Sequence, residues 1–99
     1  MRLLFSEAAE RELETIGDYI ALESPARALN FIRELRKDCA SLKDMPRRHP
    51  ALSRYKATGI RRRVYGSYLI FYRMEAQTVQ ILHILHGEMD YEAILFTED

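Results

Sequence analysis

The sequence predicts an α+β fold, a small and mostly antiparallel sheet with an N-terminal helical hairpin packed on one face. Three observations predict it. Two stretches in the first half repeat apolar residues every three or four positions. Three short stretches in the second half are rich in β-branched and aromatic residues. Ser24-Pro25, Pro46, Pro50, Gly59 and Gly66-Ser67 punctuate the chain between or at the ends of these stretches. The predicted order is strand, helix, helix, three strands and a short C-terminal helix, β-α-α-β-β-β-α.

Each element has its own reason. Residues 2–5, RLLF, form a short apolar run closed by Ser6, whose hydroxyl can accept an orphan N–H of a first helical turn. Glu7 and Glu10 follow at the positive end of the helix dipole. Ala9, Leu13, Ile16 and Ile20 then give one apolar stripe, which predicts a helix over 6–22. Ser24 caps again, and Pro25 suits the first helical position, where its missing N–H costs nothing. Ala28, Ile32, Leu35, Cys39 and Leu42 continue a second stripe over 25–43. A link this short makes the two helices antiparallel. Residues 44–59 are irregular, with Pro46 and Pro50 as breakers and Gly59 as a turn residue.

Three strands complete the reading. Residues 60–65 alternate loosely, with Ile60, Arg62 and Val64 on one side and Arg61, Arg63 and Tyr65 on the other. Gly66-Ser67 signals a two-residue hairpin. Residues 68–74 follow, then a polar turn at 75–77 and a strand over 78–86. Alternation assigns Val79, Ile81 and Leu85 to one face of that last strand and Leu82 and Ile84 to the other. A strand apolar on both faces must be covered on both. The helical hairpin covers one, and the segment Tyr91–Phe96 or a partner chain covers the other.

Composition bounds the class. The chain has 99 residues with 15 Lys+Arg against 15 Asp+Glu, so one neutral domain spanning 1–99 is expected. No apolar run approaches the roughly 18–20 residues of a membrane span. The N-terminus turns acidic after five residues, unlike a signal peptide, so the cytoplasm is the expected compartment. The single cysteine, Cys39, excludes an internal disulfide framework and a Cys-based zinc site. It lies on the apolar stripe, where a core role is expected. Neutrality hides segregation: residues 36–63 carry ten basic and two acidic side chains, a local net of +8. Such a basic centre between acidic ends can steer an anionic partner, although a solvated loop and helix end is the plainer reading.

Catalytic motifs are weak. His83 and His86 form H-x-x-H, but an odd spacing on a strand places them on opposite faces, so no metal site is expected. His86 near a strand end is a candidate general base, against a structural role with one ring nitrogen on a backbone carbonyl. The four glycines are scattered and form no phosphate-binding loop, and no serine sits in a nucleophile elbow. The acidic pairs Glu88/Asp90 and Glu10/Glu14 are expected to face solvent.

The pattern as a whole resembles the ParE branch of the ParE/RelE toxin superfamily. The second half carries Gly59-Ile-Arg-Arg, then Gly66-Ser-Tyr-Leu-Ile-Phe-Tyr-Arg73, then Val79-x-Ile-Leu-x-Ile-Leu-His86-Gly87 with Asp90 closely after. The first half carries Ala9 to Leu13, Ile16 and Tyr19-Ile20, then Pro25-Ala-x-Ala-x-x-Phe31-Ile32 and Leu42-x-x-x-Pro46. The resemblance covers about residues 3–95. It implies the toxin of a bacterial type II toxin–antitoxin pair that inhibits DNA gyrase, is not an enzyme, needs no cofactor, and is neutralised by a ParD-like antitoxin. It implies contact with DNA only indirectly, through gyrase or the antitoxin, and none with membranes.

Two alternatives stay open: a RelE-like ribosome-dependent mRNA endonuclease, and a degenerate module that binds its antitoxin and poisons nothing. RNA cleavage needs charge on the phosphate and an acid–base pair. The basic places of RelE-like enzymes fall here on Leu69 and on Glu88, Met89 and Asp90, and the tyrosine place falls near Ile94, one turn from Tyr91. Many ParE-like sequences carry Arg shortly before the Asp90 position, where this chain has Met89. If the chain cleaves RNA, Tyr55, Arg61 and His86 are the candidate catalytic groups. For a gyrase surface the candidates are Arg61, Arg62, Arg63, Arg73, His86 and Asp90. Arg73 could equally pair with an acidic helix residue. For antitoxin anchors the candidates are Tyr19, Phe31, Leu82, Ile84 and Phe96, since buried aromatics usually dominate such interfaces.

Overall fold

Each predicted element forms, in the predicted order. The computed structural model describes residues 1–52 and 58–96. The elements are β1 (Arg2–Phe5), α1 (Glu7–Ala21), α2 (Pro25–Ser41), β2 (Arg61–Tyr65), β3 (Tyr68–Glu75), β4 (Thr78–His86) and α3 (Tyr91–Leu95). The second helix stops at Ser41, two residues short of the predicted end, and β3 runs one residue longer, to Glu75. The four strands lie in the order β1-β4-β3-β2, with β1 parallel to β4 and the other pairs antiparallel.

Both caps form as the sequence requires. Ser6 accepts from the Ala9 N–H at 3.0 Å, and Ser24 accepts from the Arg27 N–H at 3.2 Å. Ser6 also donates its hydroxyl to the Leu82 carbonyl at 2.6 Å, which ties the start of α1 to β4. Ser6→Ala therefore loses a cap and a cross-link together. Its expected cost is about 1–2 kcal/mol, read as a lower urea midpoint at unchanged slope.

The hairpin packs on one face of the sheet. Leu13, Leu35, Cys39, Leu42, Ile70, Tyr72, Val79, Ile81 and Ile84 form the main core. Burial pushes the Cys39 thiol up to about 12, so it is an inert core residue. Arg36 forks onto Glu10 at 3.0 and 3.1 Å and holds that carboxyl below its usual range. Glu10 is thus paired across the hairpin rather than simply solvated. The pair is about half exposed, so it contributes little to stability.

The other face carries a second cluster. Ile60, Phe71 and Leu85 are buried there under Leu52, Leu69, Leu82, Tyr91, Ile94, Leu95 and Phe96. The C-terminal segment thus covers the sheet, as one of the two predicted solutions required. Tyr91 pins it, with its ring 5.1 Å from Phe71 and its hydroxyl accepting from Arg62 Nη1 at 3.2 Å.

The face assignment of β4 needs correction. Phe71 pairs with His83 but Tyr72 pairs with Ile81, so Leu82 is an extra, bulged residue. A bulge resets the alternation. Ile84 therefore turns to the hairpin side with Val79 and Ile81, while Leu82 and Leu85 share the second cluster. Gly66 takes the positive φ of +57° that the predicted hairpin turn needs. Ala76 takes φ 54° in the next turn, a conformation that sequence does not announce for alanine.

Candidate functional site

Two surfaces stand out, one beside β4 and one beside β2. The first arises because β1 is short. It pairs with β4 only as far as Phe5↔Ile81, and the chain then leaves as α1. The remaining edge of β4 is finished by side chains of α1. Glu12 Oε1 accepts the Ile84 N–H at 2.8 Å, and Glu12 Oε2 meets His83 Nδ1 at 2.7 Å. One carboxylate thus replaces a missing strand at an edge donor. Glu12→Ala leaves that N–H and His83 without their partner, for an expected cost of about 2 kcal/mol in chemical denaturation.

Beyond Glu12 a cavity of about 780 Å³ opens between α1, the 67–68 turn, the end of β4 and α3. Tyr19, Ile84, His83, His86, Met89 and Ile94 are among its walls. Tyr19 stands 71% exposed at its rim, and Met89 is 46% exposed. Ile84 is only 1% exposed, because the bulge turned it inward, so it is core rather than a surface anchor. Phe31 is half-buried between Tyr65 and Tyr68, with ring centroids at 5.9 and 5.7 Å. Leu82 and Phe96 are half-buried in the second cluster.

On the β2 side the arginines are largely committed to the fold. Arg63 forks onto Asp38 of α2 through Nε and Nη2, the latter at 2.8 Å from Oδ1, and its Nη1 meets His49 Nε2 at 2.8 Å. Arg61 Nη1 donates to the His49 carbonyl at 2.6 Å. Arg62 lies on the opposite face, over Tyr91. The three arginines are therefore split between two faces and do not form one stripe. Arg73 pairs not with a helix residue but with Glu75 on its own strand, at 3.9 Å. Asp90 caps α3 by accepting from the Ala93 N–H at 3.3 Å. His86 Nδ1 accepts from the Glu88 N–H at 3.2 Å, in place of the expected backbone carbonyl partner, and its ring packs on Tyr68.

The candidate catalytic groups do not converge. Tyr55 lies outside the described residues. Arg61 aligns with Tyr72, and His86 aligns with Tyr68 on the same strand. Four residues of strand separate the two, roughly 13 Å along the sheet. A single phosphate could not touch both. His83 aligns with Phe71 and His86 with Tyr68, which places them on opposite faces. Among the described residues no group of three potential ligands could hold a metal.

Residues 3–91 match the family profile described as the ParE toxin of type II toxin-antitoxin system, parDE. The chain belongs to the ParE toxin family. A solved structure described as the chromosomal ParDE TA system from P. aeruginosa is similar, with a TM-score of 0.73 and 22% identity. The match covers 87% of this chain and 95% of that one, and it supports the ParE fold. No curated protein matches the sequence. No helix among the described residues is long and apolar enough to cross a membrane.

Glu12 and Asp38 are the site residues that periodicity alone did not reveal. A signal was present. Glu12 lies three residues after Ala9 and four before Ile16, and Asp38 lies three after Leu35 and four before Leu42. Both acids therefore sit on the apolar stripe, where a carboxylate needs a partner.

Proposed function

We propose that this ParE-type toxin acts by binding DNA gyrase in the cytoplasm and blocking replication, without cleaving RNA, and that a ParD-like antitoxin holds it inactive. The family match over residues 3–91 carries this reading. The separation of Arg61 from His86 along the sheet favours docking over phosphodiester chemistry. So does the acidic and apolar turn Glu88-Met89-Asp90, which would repel a phosphate instead of neutralising it.

The antitoxin is assigned to the groove beside the hairpin and β4. Tyr19 and Met89 offer exposed apolar contacts in the 780 Å³ cavity. Phe31, between Tyr65 and Tyr68, and Leu82 and Phe96, in the second cluster, lie outside its walls and are separate half-buried candidates. We assign the gyrase surface to Arg62 and Arg73, which share the face opposite the hairpin, with His86 a separate candidate on the hairpin side. Arg61 and Asp90 hold neighbouring backbone, and Arg63 holds the side chains of Asp38 and His49. The test is a supercoiling assay with purified gyrase and relaxed plasmid. Added toxin should stop supercoiling, and equimolar antitoxin should restore it. Unaffected supercoiling at excess toxin would refute the gyrase assignment.

A further inference from the structure

Residues 44–52 follow α2 and return to β2 without regular structure, yet their backbone is held at several points. Tyr72 donates its hydroxyl to the Pro46 carbonyl at 2.7 Å. Arg61 donates to the His49 carbonyl at 2.6 Å. The Arg62 N–H donates to the Pro50 carbonyl at 3.3 Å, and the Leu52 N–H donates to the Ile60 carbonyl at 3.0 Å. None of these bonds uses the side chains of Lys43, Arg47 or Arg48. All three are exposed, as is Lys37 near the end of α2. None of the four has a carboxylate within 4.0 Å among the described residues. Asp38, next to Lys37 in sequence, is consumed by Arg63. Asp44 is the one other acid of this region and is exposed. The fold therefore spends Arg61 on fixing this backbone and Arg63 on the His49 ring within it, and cations with no carboxylate partner project from it.

We infer that this end of the molecule is a docking surface for the phosphate backbone of duplex DNA. The inference rests on the gyrase reading, which places the toxin beside DNA, and it goes further by making that contact direct. Separate cations held on a fixed backbone suit a ladder of phosphates, which presents about one charge per 1.7 Å of duplex. Residues 43–52 contain no Phe, Tyr or Trp to stack unpaired bases, so a duplex fits better than a single strand. Lys43, Arg47 and Arg48 lie outside every helix and strand of the described fold, so binding should be indifferent to sequence.

The test is fluorescence anisotropy of the full-length chain with a labelled random-sequence duplex over a salt series. The wild type should bind with log K falling linearly against log salt. The triple variant Lys43→Ala, Arg47→Ala and Arg48→Ala should lose about 2–3 from that slope and at least about tenfold in affinity at low salt, with its melting curve unchanged. Absence of salt-dependent binding, or an identical slope in the variant, overturns the inference. So does displacement of the duplex by polyglutamate at equal charge concentration, which would indicate an acidic protein partner. Capture of gyrase on the immobilised toxin after nuclease treatment reads the gyrase proposal separately. Its failure with duplex binding intact refutes that proposal and leaves the DNA surface standing.

Discussion

Phe71→Ala is expected to destabilise the fold by about 3–5 kcal/mol and to lower the melting temperature by roughly 15–30 °C. The side chain is fully buried in the centre of the second cluster, between Ile60 and Leu85 and against the Tyr91 ring. No water can replace an aromatic ring there, and the sheet above it is too well bonded to collapse into the space. A domain this size has only about 5–15 kcal/mol in total, so the loss is a large share. Thermal denaturation followed by circular dichroism checks it. The same variant should expose α3, because Phe71 is the main surface on which Tyr91 rests. Proteolysis should then remove the C-terminal segment before it cuts the hairpin. A loss below about 1 kcal/mol would mean that α3 does not lie on the sheet as described.

Asp38→Ala is expected to cost about 2–3 kcal/mol in urea denaturation. The side chains of Asp38 and Arg63 are only 15% and 26% exposed, and the guanidinium is held by both of its edges. Removing the carboxylate leaves a poorly solvated cation without its counter-charge, which costs more than the pair itself contributes. Asp38→Asn should recover part of the loss by keeping the shape and one acceptor. The effect should reach the loop, because Arg63 also aligns His49. Neutral His49 accepts from Arg63 Nη1 at Nε2, with its proton on Nδ1. Burial first, then the neighbouring Arg63 and Arg48, hold its pKa below the ordinary 6.5. The folded state thus binds this proton less readily than the unfolded state. The resulting stability is complete above about pH 6.5 and is lost as pH falls below it. The melting temperature of the wild type relative to His49→Gln should therefore decline between pH 7 and pH 5.

Much of the fold was legible because local signals and global packing agree. Ser6, Ser24 and Pro25 mark helix starts in sequence and in structure alike. The two-faced apolar character of residues 78–86 required two covering layers, and both are present. What the sequence concealed depends on pairing between distant strands. The bulge at Leu82 is a matter of register between β3 and β4, and nothing in the run TVQILHILH marks it. The error over Ile84 follows from that alone. The site was less legible than the fold for a related reason. Arginine pattern gives charge but not partners, so it does not show that Arg61 holds the Arg47 and His49 carbonyls or that Arg63 holds Asp38 and the His49 ring. Among the described residues, Lys43, Arg47 and Arg48, one step earlier in the chain, are exposed cations without a carboxylate partner.

On the gyrase proposal the toxin attacks DNA replication and not translation. Pulse labelling of DNA and protein synthesis, after inducing this chain in bacteria without its antitoxin, tests it most directly. Thymidine incorporation should fall promptly while amino-acid incorporation at first continues. A prompt fall in amino-acid incorporation with cleaved mRNA would contradict the claim.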